Sequence, residues 1–339
     1  MNQADINAAA QALLDGKLLG LPTETVYGLA ADASNDAALH AIFALKGRPQ
    51  NHPLIIHLHD EAKLDDWAIN IPQAARALAD AFWPGPLTLI LQRASHVSLT
   101  VTGGQDTVGL RCPAHDVAQA VLKRFAALGG SGAVAAPSAN RFGRISPTTA
   151  AHVREEFAKA EPPLLVLDGG ACEVGIESTI VDCSRLTQTD KPVILRPGAI
   201  SATQIAAILG GVHLGKTKAK TTTAPRVSGS LDSHYAPQTE MVLVPSGVFD
   251  DFVVEKLMQG AVVGTLRFAD AFATGADERS LSDKDLRVAK NAKTYAHDLY
   301  ANLRKLDHAH CDLIAVETPP EGAEWAGVWD RLSRGAFRG

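Results

Sequence analysis

Lys46, Gly47 and Arg48 place two cations at i and i+2, where a helical apolar pattern ends and a proline-bounded loop begins, in KGRPQNHPL (46–54). Cations at a helix C-terminus complement its dipole. Here Gly47 also frees the backbone between them, and Pro49 and Pro53 restrict the loop, so both can be aimed at one polyanion such as a triphosphate. Arg111 closes the run DTVGLRCP, and a guanidinium at a strand end suits bidentate capture of a carboxylate. Thr23 and Thr25 flank Glu24 in LPTETVYGLAAD (21–32), a strand-end turn whose hydroxyls suit a small polar ligand. AAPSANRFGRISPT (135–148) offers Ser138, Asn140 and Ser146 on a loop of small residues that a ligand can approach closely. Glu177 and Ser178 follow a glycine turn, and ILRPG (194–198) brings Arg196 to another strand end. Polar or cationic groups recur at strand ends beside Gly or Pro, which is how α/β clefts are lined.

The elements that position these groups are legible in part. Ile6, Ala9, Ala10, Leu13 and Leu14 share helical spacing, as do Leu39, Ile42, Phe43 and Lys46. Apolar runs at 54–58, 87–91, 108–110, 164–167, 178–181 and 193–195 read as strands, about seven in all, interleaved with helices in an α/β or α+β domain. Residues 209–237 are basic and rich in Thr, Ser, Gly and Pro, a linker or an ordered functional loop. Beyond it, 241–244, 261–266 and 313–316 read as strands and 288–306 as a helix, which predicts a smaller parallel α/β unit. The expected division is 1–212, a linker at 213–238, and 239–339.

Length and composition narrow the function classes. At 339 residues two domains are expected. Apolar residues at 46% and charged residues at 20% describe a folded globular chain, and no apolar run reaches the ~18 residues of a membrane span. The first residues lack the basic and apolar regions of a signal peptide, and the four cysteines are dispersed, so a reducing cytoplasm is expected. With 32 Lys and Arg against 37 Asp and Glu, the net charge of −5 argues against tight non-specific nucleic-acid binding. GGVHLGKT (210–217) matches the phosphate-loop pattern, but a helix precedes it and a poor helix ending in proline comes after, the reverse of what phosphate binding needs. The match is accidental. His57 and His59 share a strand face but lack the third partner of a metal site, and for His308, His310 and Cys311, where a helix ends and a strand begins, a helix-terminal cation is a simpler reading than a zinc site. Cys112 beside Arg111 reads as a packed strand cysteine, although the neighbouring cation could lower its pKa. Trp83-Pro84-Gly85-Pro86 reads as a rigid turn with a core aromatic, and Trp325, Trp329 and the arginines of 331–338 as packing for the domain interface, with no chemistry of their own.

PTETVYGL, KGRPxxHPL, WPGPLT, GLRCP, APSAN, GIEST and LRPG occur in this order, and together they resemble the YrdC-like domain of L-threonylcarbamoyladenylate synthases. SHYAP (233–237) before an α/β unit resembles the longer, Sua-type form of that family. The resemblance implies a twisted mixed sheet with a concave, positively charged face and a second, smaller Rossmann-like α/β domain. It implies a nucleotidyltransferase that joins L-threonine, bicarbonate and ATP into threonylcarbamoyl-AMP and releases pyrophosphate. Mg²⁺ would travel with the ATP, and the product would feed a tRNA threonylcarbamoyl transferase complex. Thr23, Thr25, His52, Arg111 and Ser178 would then form the L-threonine site. ATP would be bound by Lys46, Arg48, Ser138, Asn140, Ser146 and Arg196, with His234 and Tyr235 of the linker folding over it. Lys46 and Arg48 would carry the catalytic charge neutralisation, no metal would be held by protein side chains, and Glu24 or Glu177 could position groups. The linker APRVSGS (224–230) departs from the shorter Pro-Gly form of many relatives. A non-catalytic RNA-binding protein of the same fold is the alternative; a carbamoyl transferase of hydrogenase maturation would need acylphosphatase and zinc-finger segments that the sequence lacks.

Overall fold

The computed structural model describes residues 2–186, 191–214, 224–229, 233–269, 282 and 284–337. The chain divides into two units, Met1–Phe142 with Ser146–Ser230, and Gly143–Ile145 with Leu231–Gly339.

In the first unit the strands are β1 (Leu19–Leu21), β2 (Gly28–Asp32), β3 (Ile55–Leu58), β4 (Ala68–Ile69), β5 (Leu87–Arg93), β6 (Thr107–Arg111), β7 (Ala133–Ala135), β8 (Leu165–Val166), β9 (Thr179–Asp182), β10 (Val193–Arg196) and β11 (His213–Leu214). They form one mixed sheet in the order β11-β10-β9-β5-β6-β3-β7-β2-β1-β8, with β4 on β5. The helices are α1 (Gln3–Leu14), α2 (Asp36–Lys46), α3 (Gln73–Phe82), α4 (Leu99–Thr102), α5 (Asp116–Ala127), α6 (Ala150–Glu156) and α7 (Ala202–Leu209). Strand alternation sorts the two faces. Leu87, Leu89, Val108, Leu110, Ile56 and Val181 enter a core with Leu39, Ile42, Leu78 and Ile205 of α2, α3 and α7. On the opposite face, α1 and α5 bury Ala30 and Val134 of β2 and β7. Farther along that second face, Ile90 and Ile180 are covered by Val227. His57, Arg111 and Thr88 alternate with the core leucines, so they project from the same side as Ile90.

All six strand runs expected in this unit are present within one or two residues of the expected ends, and the mixed sheet matches expectation. Five further strands went unread. GLAAD and AVA of β2 and β7 are buried on both faces and built from small residues, so neither period-2 alternation nor β-branched enrichment marks them. β1, β4 and β11 span only two or three residues. Trp83 is half-buried and packs against the core of this unit, with its indole donating to the Leu87 carbonyl at 2.7 Å.

Caps set the helix ends. Asn35 accepts the Ala38 amide to open α2, and Gly47 closes it in the left-handed region at φ 65°. Ser201 and Gln204 form the expected capping box of α7, and Gly210 ends it at φ 70°. The first part of the phosphate-loop look-alike is thus a helix stop; Lys216 and Thr217 lie outside the described residues.

In the second unit, β12 (Glu240–Val244), β13 (Val263–Phe268), β14 (Asp285–Val288) and β15 (Leu313–Glu317) pair throughout in parallel, in the order β12-β15-β13-β14. α8 (Phe249–Met258), α9 (Ala292–Asp307) and α10 (Ala326–Gly335) complete it. The parallel α/β reading holds, with one correction: Val288 ends a strand, and the helix begins at Ala292 after the Asn291 cap. Trp325 packs edge-on against Phe268 and Tyr295, and Arg331 is fully buried over the Tyr235 ring at 5.3 Å.

Candidate functional site

Gly47 closes α2 at φ 65°, and the cations on either side of it take different partners. Lys46 is buried and donates to the backbone carbonyls of Ser138 and Asn140, which locks the end of α2 to the loop after β7. Burial, followed by the Arg48 charge, holds its ammonium well below the ordinary lysine range. Arg48 donates to the Pro53 carbonyl at 2.9 Å and to Ser228 Oγ at 3.4 Å, and its guanidinium lies 5.7 Å from the Phe142 ring centre. His52 packs edge-on against the same ring; partial burial, then Arg48 and Arg226, push its pKa down.

Ser228 joins this group to another. Its carbonyl accepts from Arg196 Nη1 at 3.1 Å, while Arg196 also donates to the Ser178 carbonyl at 2.8 Å and to Ser178 Oγ at 3.1 Å. Ser178 Oγ is 2.7 Å from Thr88 Oγ1, and Ser146 donates to Glu177 at 2.5 Å. Arg226 pins the same linker segment, donating to the Gly103 carbonyl at 2.7 Å, and its amide donates to Gln105 Oε1 at 2.7 Å. Linker residues 226–228 therefore lie across the polar face of the sheet, with Val227 seated on Ile90 and Ile180.

On the same face, Arg111 Nη2 is 2.7 Å from Glu24 Oε1, both side chains being about 5% exposed. Thr23 donates its hydroxyl to the Val26 carbonyl at 2.6 Å and lies 3.0 Å from Thr25 Oγ1. Because the Thr23 proton is committed, Thr25 donates to Thr23, leaving the Thr25 oxygen to act as an acceptor. His57 stands opposite Arg111 in the β3–β6 register; burial, then Arg111, hold its protonation down to about 3. Burial pushes the Cys112 thiol up to about 11, so desolvation outweighs the neighbouring arginine.

Hydrogen bonds thus gather Lys46 with Ser138 and Asn140, and the Ser228 bridge gathers Arg48 with Arg196 and Ser178; Gly47 alone separates the two groups along the chain. Arg111 projects from the same sheet face to meet Glu24, and Thr23 and Thr25 bond each other in the turn on either side of that glutamate. His234 and Tyr235 lie in the second unit, where the His234 amide donates to the Arg334 carbonyl at 3.2 Å and the Tyr235 ring is buried beside Tyr300. Sequence reasoning missed Ser228 and Thr88. Thr88 could have been found by alternation along β5, whereas no local signal marks a linker serine that bridges two arginines. Among the described residues, no group of three or more His, Cys, Asp or Glu could hold a metal ion.

Two family models match the chain: one described as telomere recombination, of the Sua5, YciO and YrdC group, over residues 11–198, and one described as threonylcarbamoyl-AMP synthase, C-terminal domain, over 200–336. The threonylcarbamoyl-AMP synthase of Pyrococcus abyssi is 34% identical over 97% of this chain and 93% of its own. That of Bacillus subtilis is 34% identical over 99% of this chain and 94% of its own. The crystal structure of P. abyssi Sua5 complexed with L-threonine matches at a TM-score of 0.87 and 33% identity, covering 99% of this chain and 95% of that one. With both family models matched in order and near-complete coverage of these relatives, the chain belongs to the threonylcarbamoyl-AMP synthase family.

Proposed function

We propose that this protein joins L-threonine, bicarbonate and ATP into threonylcarbamoyl-AMP, releasing pyrophosphate, as a nucleotidyltransferase. The observation that carries the reading is the meeting of Arg48 and Arg196 at Ser228, over the sheet face that also holds Arg111, with Lys46 on the Ser138–Asn140 loop one glycine away from Arg48 in the chain. Attack of a carbamate oxygen on the α-phosphate needs charge neutralisation and in-line positioning more than a protein nucleophile. Arg48 and Arg196 supply standing positive charge, and Lys46, whose charged form burial disfavours, is drawn back to that form beside a triphosphate.

Arg111 takes the threonine carboxylate, and the acceptor-only Thr25 oxygen suits the substrate hydroxyl, with Ser178 and His52 beside it. Ser138, Asn140 and Ser146 contact the nucleotide. Lys46 and Arg48 supply the catalytic charge. The nucleotide roles of His234 and Tyr235 rest on the family resemblance. Mg²⁺ enters as part of the substrate, on the triphosphate, where it shares the charge. The product goes to a tRNA threonylcarbamoyl transferase complex. The cytoplasm is the expected compartment, in keeping with four free cysteines.

The test is pyrophosphate release by the purified protein with Mg²⁺ and ATP, adding L-threonine and bicarbonate together and then omitting each. Release that needs both small substrates and collapses in Lys46→Ala is the expected result. Release independent of threonine would sink the reading.

A further inference from the structure

The Arg111–Glu24 pair leaves open atoms on both partners. Nη2 and Oε1 approach to 2.7 Å, yet Arg111 Nε and both Glu24 carboxylate oxygens complete no hydrogen bond with any described residue, although all are shut off from solvent. A buried ion pair is tolerated when its remaining donors and acceptors are satisfied, and leaving them open is costly. The open set has a definite chemistry: a cationic donor beside an anionic acceptor, the complement of an α-amino-acid zwitterion.

We propose that Glu24 receives the α-ammonium of the amino-acid substrate and is the base that removes its proton, while Arg111 holds the carboxylate. This assignment rests on the synthase reading above. An ammonium has no lone pair with which to attack bicarbonate, so one N–H bond must break first. Its proton passes to a Glu24 oxygen and the electron pair stays on nitrogen. The neutral amine then attacks the bicarbonate carbon, the N–C bond forms, and the C–OH bond breaks. The departing hydroxide takes the second amine proton and leaves as water, so that R–NH₂ and HCO₃⁻ give R–NH–COO⁻ and H₂O. The carbamate keeps its negative charge for the later attack on phosphorus, and neutralised Glu24 no longer competes for Arg111.

The other titratable groups beside Arg111 are poor bases at neutral pH. His57 takes a proton only near pH 3, and the thiols of Cys112 and Cys172 are pushed up by burial and stay protonated. The hydroxyl of Thr23 is committed to the Val26 carbonyl.

The reverse half-reaction separates a base from a scaffold. Pyrophosphate and synthetic threonylcarbamoyl-AMP form ATP without any ammonium to deprotonate. Glu24→Gln should lower forward synthesis about 100-fold or more, within the range for loss of a general base. Reverse ATP formation should stay within about threefold of the unaltered protein. If Glu24→Gln fails to fold, Glu24→Asp serves instead, with a forward loss of about tenfold and an unchanged reverse rate expected. Equal loss in both directions would make Glu24 a support for Arg111 and overturn the proposal, as would an undiminished forward rate. An unaltered protein inactive in both directions would overturn the synthase reading itself, and this proposal with it.

Discussion

At the scale of single residues, the site is governed by desolvation as much as by charge. Lys46 sits in a dry contact with two carbonyls, so its replacement has a structural and a functional consequence. Lys46→Met leaves the Ser138 and Asn140 carbonyls without their donor, at about 2–4 kcal/mol. The expected outcome is a lower urea midpoint together with loss of pyrophosphate release. His57 gives a pH signature. Its folded pKa, about 3, lies below the ordinary 6.5, so the unfolded chain takes up a proton that the folded chain refuses. The His57 contribution to stability is therefore whole above pH 6.5 and is lost as pH falls toward 3, at about 1.4 kcal/mol per pH unit. Between pH 7 and 4.5 the unaltered protein should lose about 2–3 kcal/mol more than His57→Gln, read from urea unfolding at the two pH values. Smaller acid sensitivity in the unaltered protein would refute this account. These residue types were visible in the sequence as candidates, but the direction of each shift was not, because burial is a property of the folded chain. Cys112 shows the difference: adjacency to Arg111 pointed down, and desolvation pushed it up.

At the scale of elements, precision comes from close backbone approaches. A Cβ on Gly198 would lie 2.5 Å from the Thr179 amide and 2.7 Å from the Glu177 carbonyl, so Gly198→Ala must displace the start of β9. That shift moves Ser178 away from both Arg196 and Thr88. The expected result is a loss of about 2–3 kcal/mol in stability, typical of overpacking, and a raised KM for threonine with little change for ATP. An unchanged KM would show that β9 yields without disturbing Ser178. The glycine was legible only as part of LRPG; its neighbour across the turn was not. Helix ends were more transparent, because the capping box at Ser201 and the stop at Gly210 are local devices that operate over a few residues. Strands β2 and β7 were opaque for the opposite reason, since their identity comes from burial on both faces.

At the scale of the whole molecule, the net charge of −5 coexists with a cationic site face in the first unit, so overall charge says little about what a cleft can bind. A metal carried by the triphosphate predicts that EDTA abolishes pyrophosphate release and that added Mg²⁺ restores it, with melting temperature unchanged by the chelator. A fall in melting temperature on chelation would instead indicate a metal held by the protein. Local features were readable from residue order alone: helix caps, strands with one exposed face, the seven ordered motifs, and hence the family and nearly all of the candidate residues. Partnership, in contrast, came from the folded chain. Ser228 reaches Arg48 and Arg196 from 180 and 32 residues away in the chain, and Glu24 meets Arg111 from 87 residues away. Such contacts are made by strand order and face, which a periodicity carries for each strand alone but never for the pair.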